Sequence, residues 1–165
     1  SEVGILPAYL MGINIRKLRK NILNCLVKSN FNYLKESTTK LSCLMSSKKI
    51  KNIIFLNYSP KIEKFLFWGQ QLIAESLGKK GKGFLPVISS VPKDHHSLLQ
   101  LYLDGPKDKI FHIFSMQEES TTKFNLKKFK IKTFLDKKSI TIIKDAQKNA
   151  LIRTFKEKKN SFQRN

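Results

Sequence analysis

The stretch "KNIIFLNYSPKIEKFLFWGQQLIAESLG", Lys51 to Gly78, decides the fold. Asn52 to Tyr58 is a short, β-rich apolar run with lysines before it and Ser59-Pro60 after it. A continuous apolar run of this length reads as a strand buried on both faces, the signature of a parallel sheet. Ser59 is placed to cap the next helix, and Pro60 suits a first helical position because its missing N–H has no partner to lose there. Leu66, Trp68, Leu72 and Ile73 then carry a helical pattern to Gly78, a natural stop. Strand followed by helix, with an apolar strand, predicts an α/β architecture around a parallel sheet.

Upstream, apolar residues from Val3 to Met11 fall at helical spacing, with Pro7 in a first turn and Gly12 closing the helix. Arg16 to Leu26 predicts a second helix, and residues 36–48 a weaker third. Downstream, the two prolines in "FLPVISSVP" (84–92) predict a loop with a short extended piece. "SLLQLYLD" (97–104) predicts a helix ending near Gly105-Pro106, and "KIFHIFSM" (109–116) alternates as a second strand. Residues 117–138 are polar and basic, and "KFNLKKFKIKTFL" (123–135) fits a strand or an irregular arm. Ser139 to Lys159 reads as one long helix, and "SFQRN" (161–165) as the point where that helix has stopped. Two strands are too few for a sheet covered on both faces, so the architecture reads as incomplete at both ends.

With 165 residues and 41% apolar content the chain fits one domain with a sizeable core. The formal charge of +20 raises a nucleic-acid-binding module as one reading, since clustered cations release counterions from phosphates. The lysines are scattered, however, and the arginines are Arg16, Arg19, Arg153 and Arg164. Specific nucleic-acid readers favour arginine for bidentate contacts, so a solvated surface is the preferred reading. Cys25 and Cys43 show no metal spacing, and two cysteines make no disulfide scaffold, which sets the cytoplasm as the expected compartment. No apolar run approaches the ~20 residues of a membrane span. The opening "SEVGILPAYLMG" lacks a basic leader and an initiator Met, which fits a processed or incomplete chain or, alternatively, removal of the initiator Met before Ser.

Gln71 and Glu75 stand four apart and share one helix face. Beside Leu72, Ile73 and Leu77, the carboxylate reads as a group whose pKa burial raises toward neutrality, useful for proton transfer. From this helix alone, a surface Gln–Glu pair is the preferred reading. Asp94, His95 and His96 follow a proline loop, where an acid can orient an imidazole for acid–base work or simply cap a helix. No third ligand at familiar spacing supports a metal there. His112, inside a strand, reads as a packed or edge residue and not as a ligand. Gly78, Gly81 and Gly83 alternate with lysines, but the loop follows a helix and lacks the GxxxxGK[ST] order. No G-x-S-x-G is present.

Taken together, "NYSPKIEKFLFWGQQLIAESLGKKGKGFLPV" (57–87) and "KDHHSLLQLYLDGPKDKIF" (93–111) resemble the glucose-6-phosphate isomerase family in its compact bacterial form. The shared order is a Y-x-P helix, QQ-x3-ESLGK-x-GKG, a proline loop and D-x-HS-x-LQLYLDGP. "SEVGILPAYLMGINI" also resembles the segment after the family's GGR-x-S motif, and the likeness covers most of residues 1–115. It implies a sugar-isomerase (SIS) domain of doubly wound, flavodoxin-like α/β type. Residues 1–50 would form a helical lead-in and 51–165 the core of one partial domain. The implied reaction interconverts glucose 6-phosphate and fructose 6-phosphate through a cis-enediol, in glycolysis and gluconeogenesis, with no metal or other cofactor. The resemblance assigns the base to Glu75, ring opening to His96 and substrate contact to Gln71. It also implies a homodimer, because the family's histidine reaches the partner subunit's site.

Where the family commonly has Gln, this sequence has His95. The family's phosphate-binding serines and threonines, its GGR-x-S arginine and its C-terminal lysine helix find no match here; Lys156, Lys158 and Lys159 take no such role. The expectation is a fragment, inactive alone, whose arginine motif lies before Ser1. The alternatives are a nucleic-acid-binding module and an SIS-type sugar-phosphate binder without catalysis. The partner expected is a small sugar phosphate, with no specific nucleic acid and no membrane.

Overall fold

A computed structural model describes residues 2–20, 22–117, 123 and 135–162. The chain divides into two compact units, 1–47 and 48–165.

The first unit is helical. It holds α1 (Glu2–Leu10), α2 (Ile15–Arg19), a 3-10 turn (Leu23–Leu26) and α3 (Lys28–Ser46). Pro7 lies inside α1, past the first turn expected for it. The chain bends away at Gly12, whose φ of +81° is left-handed and suits glycine. The helix expected over 16–26 is broken: α2 spans five residues, with the Asn14 side chain accepting from the Lys17 N–H at its start. α3 begins well before the expected residue 36.

The described part of the second unit contains three strands, β1 (Asn52–Asn57), β2 (Leu85–Ser90) and β3 (Lys109–Phe114), one more than expected. They form a parallel sheet in the order β2-β1-β3. β1 is buried along nearly its whole length, as the apolar run requires. Pro60 opens a 3-10 turn (Pro60–Ile62) ahead of α4 (Glu63–Leu77). Ser59 stands at its N-cap without a side-chain capping bond, contrary to expectation. The unit also holds α5 (Lys93–Ser97), α6 (Leu99–Asp104) and α7 (Ile140–Phe162).

β2 corrects the loop expected over 84–92. Among the described residues it is an edge strand, where Pro86 is tolerated. The Leu85 N–H bonds to the Lys51 carbonyl on the inner side, so the next residue turns its backbone outward. A nitrogen without hydrogen costs nothing there, and the outward Pro86 carbonyl accepts from Gln70 Nε2 at 2.8 Å.

Ile54, Leu56 and Tyr58 pack with Val91, Tyr102 and Leu151 into one core cluster, joined by Phe111 and Phe155. That face carries α6 and α7. The chain passes from β1 through α4 to one neighbour and then crosses back to the other. Right-handed crossovers therefore place α4 and α6 on opposite faces. This is the expected doubly wound α/β arrangement, with helices flanking a parallel sheet. α7 runs to Phe162, beyond the expected stop at Lys159. The basic segment 123–135 lies outside the described residues apart from Lys123, which bridges Ser139, and Leu135.

Candidate active site

α4 presents Gln71 and Glu75. Its sheet-facing side is set by Leu66, which is buried, with Gly69, Gln70 and Ile73 half-buried on the same side. Glu75 lies nearly opposite and is exposed, as a surface Gln–Glu pair requires, and its apolar neighbours do not bury it. Of those neighbours, Leu72 and Leu77 are themselves exposed. The expected pairing does form: Gln71 Nε2 donates to Glu75 Oε1 at 3.0 Å. Phe65, Trp68 and Leu72 share the exposed stripe with this pair at helical spacing, and the Phe65 and Trp68 rings touch at 5.6 Å.

Behind Glu75 the helix ends at Gly78, and the loop folds back sharply. Gly83 has φ +115°, and a Cβ there would stand 2.9 Å from the Leu77 carbonyl oxygen. Glycine is what lets the loop approach the helix end so closely.

His96 sits elsewhere. α4 runs back along the sheet, so Glu75 lies toward the amino ends of the strands. Gln70, five residues earlier, already reaches the second residue of β2. α5 follows the carboxyl end of β2, with the Val91–Pro92 bond cis. His96 is exposed there. Roughly 18 Å of helix axis separates Glu63 from Glu75 at 1.5 Å per residue. Gln71 and Glu75 are thus brought together, and His96 is not brought to them.

Asp94 caps nothing and does not hold an imidazole; its Oδ2 accepts from Ser89 Oγ at 2.9 Å. His95 instead meets Tyr58, with Nε2 3.0 Å from the phenolic oxygen and the rings edge-on at 5.8 Å. Burial pushes the Tyr58 hydroxyl up to about 12. Burial also lowers His95, against an opposing pull from Asp94. His112 packs on Phe55 and is lowered by burial. Among the described residues no three His, Cys, Asp or Glu side chains converge as a metal site, and no helix is long and apolar enough to cross a membrane. The sequence missed the Tyr58–His95 and Ser89–Asp94 contacts. It carried a signal for the Phe65–Trp68–Leu72 stripe in its i, i+3, i+7 spacing.

No protein-family model matches the chain. A Rubrobacter xylanophilus protein named glucose-6-phosphate isomerase is 34% identical over 122 residues, covering 72% of this chain and 28% of that protein. One from Methanocaldococcus jannaschii with the same name is 38% identical over 114 residues, covering 67% of this chain and 28% of its own length. The chain is related to the glucose-6-phosphate isomerases. A glucose-6-phosphate isomerase of Mycoplasmopsis synoviae extends the match to 97% of this chain at 29% identity. The chain spans 28 to 39% of the length of these three isomerases. A crystal structure of a hypothetical protein from Thermus thermophilus superposes with a TM-score of 0.67 over 96% of this chain and 40% of that one. At 23% identity, that likeness concerns the fold.

Proposed function

We propose that the full-length protein interconverts glucose 6-phosphate and fructose 6-phosphate as a cytoplasmic homodimer. Glu75 is the base: its carboxylate takes the proton from C2 of the open-chain aldose, and the resulting acid returns it to C1 of the cis-enediol. Gln71 holds the carboxylate oxygen and contacts substrate. His96 gives a proton to the ring oxygen as the pyranose opens, a task suited to an imidazole near neutrality. The chemistry assigned to these side chains calls on no metal or nucleotide.

One observation carries this reading: the Gln71–Glu75 pair stands on an exposed stripe at one end of the sheet while His96 is presented at the other. A single chain with that geometry does not close one site around one sugar. Two chains, each lending His96 to its partner's Glu75, do. The apolar Phe65, Trp68 and Leu72 around the pair are the surface that such closure would dry, strengthening the base.

The test is turnover. Full-length protein converts fructose 6-phosphate to glucose 6-phosphate, with solvent label exchanged at the transferred position, and Glu75→Gln abolishes this with the circular dichroism spectrum unchanged. Retained turnover in that variant sinks the assignment. Sugar-phosphate binding without turnover in the wild type makes this a non-catalytic SIS-type binder instead. Affinity for nucleic acid falling steeply with salt favours a basic binding module.

A further inference from the structure

We propose that His95 is a positioning residue, whose hydrogen bond with Tyr58 clamps the α5 turn to the end of β1 and fixes the direction in which His96 points. The proposal rests on the isomerase reading, because it concerns how the ring-opening histidine is aimed.

α5 has five residues, too few to hold a helical turn by its own hydrogen bonds. Backbone bonds hold it at Val91, which donates to the Asn57 carbonyl, and at Leu98, which donates to the Asp94 carbonyl, and two successive residues add side-chain anchors. Asp94 accepts from Ser89 at the end of β2. His95 meets the Tyr58 hydroxyl just past the end of β1. Tyr58 is itself held in the core: it is 2% exposed, and its N–H bonds to the Phe114 carbonyl of β3 at 2.9 Å. The turn is therefore pinned to two strands at once. Helical geometry then rotates the next side chain, His96, away from both anchors and into solvent.

The protonation states suit a clamp. Tyr58 keeps its proton throughout the neutral range, since burial holds its pKa near 12. A neutral His95 accepts a hydrogen bond from that hydroxyl at Nε2. Around His95 stand Tyr58, Asp94 on its own turn, Leu99 from α6, and Gln147 and Thr154 from α7. Of these Asp94 alone is charged. Protonating His95 makes both ring nitrogens donors, so the buried Tyr58 oxygen must accept and turn its own proton elsewhere. The clamp weakens in acid.

The experiment compares Tyr58→Phe, His95→Leu and His95→Gln in the full-length protein. The first two lose the bond; the third offers an amide oxygen that accepts from Tyr58. We expect kcat to fall about ten- to a hundredfold in Y58F and H95L, the scale of a misaimed catalytic group, with KM little changed. H95Q keeps near-wild-type kcat. It also loses the part of the acid limb lying between about pH 6.5 and the carboxylate range that a titrating His95 contributes. Amide hydrogen exchange over residues 93–98 rises in Y58F and H95L and not in H95Q. Unchanged kcat in H95L, or equal loss in H95L and H95Q, overturns the proposal. Should Y58F fail to fold, the two His95 variants decide the matter. Wild-type protein without isomerase turnover sinks the isomerase reading, while the exchange pattern still decides whether the clamp exists.

Discussion

Gln71 Nε2 donates to Glu75 Oε1 across one turn of α4, at 3.0 Å, on a face turned away from the sheet. The bond fixes one carboxylate oxygen and leaves the other free to act on a proton. Replacing Gln71 by Leu in the full-length protein removes this hold, and kcat should fall about tenfold or more, less than in Glu75→Gln. Gln71→Glu sets a like charge beside Glu75, so the acid limb of kcat should move to higher pH. A pH–rate profile of both variants checks this; an unmoved limb in Q71E argues against Glu75 as the base.

Placement of Glu75 and His96 at opposite ends of the strands predicts complementation between chains. Glu75→Gln and His96→Asn homodimers are each inactive. Mixed dimers regain one intact site, so co-refolded protein recovers about a quarter of wild-type activity under random pairing of a twofold dimer. Recovery near zero means the two residues do not meet across an interface.

Two histidines tie stability to pH. His95 and His112 are both lowered by burial, so the folded state holds fewer protons than the unfolded chain below the ordinary histidine value. Their contribution is fully present above about pH 6.5. It is lost as pH falls from there through the folded-state values. Urea midpoints measured from pH 7.5 to 5 should fall, and His112→Phe should flatten that slope.

Gly83 is held at φ +115° against the Leu77 carbonyl. Gly83→Ala should cost about 2 kcal/mol from backbone strain and the close approach, read as a lower unfolding midpoint. Because the loop abuts the end of α4 beyond Glu75, kcat should fall as well.

Leu56 is 0% exposed near the carboxyl end of β1 and joins the cluster with Tyr102 and Leu151. Leu56→Ala should destabilise the protein by about 3 kcal/mol through the cavity left behind. Urea unfolding measures it directly.

What was legible in the sequence was local. β1 and α4 could be read because an unbroken apolar run, Ser59-Pro60 and Gly78 all signal within one stretch. α7 could be read from its periodicity, and the Gln71–Glu75 pair from spacing alone, since residues four apart meet on any helix. β2 was hidden because Pro86 argues against a strand unless its neighbour is known. Only the sheet order reveals that the Pro86 nitrogen faces outward, with Gln70 taking up its carbonyl. The apolar residues beside Glu75 in sequence do not bury it, because they lie at other angles around the helix.

Residue types and short spacings by themselves thus determined the α/β class, while the resemblance to the isomerases singled out Glu75, Gln71 and His96 as the groups to consider. The tertiary structure alone decided where those groups stand. Tyr58 and His95 are 37 residues apart, and no local pattern predicts their contact. Glu75 and His96 are separated because α4 must run back along the sheet to begin a parallel strand, carrying its last turn to the amino ends, while α5 starts where β2 finishes. Chain direction in a crossover is a property of the whole sheet, and it is written in no single segment.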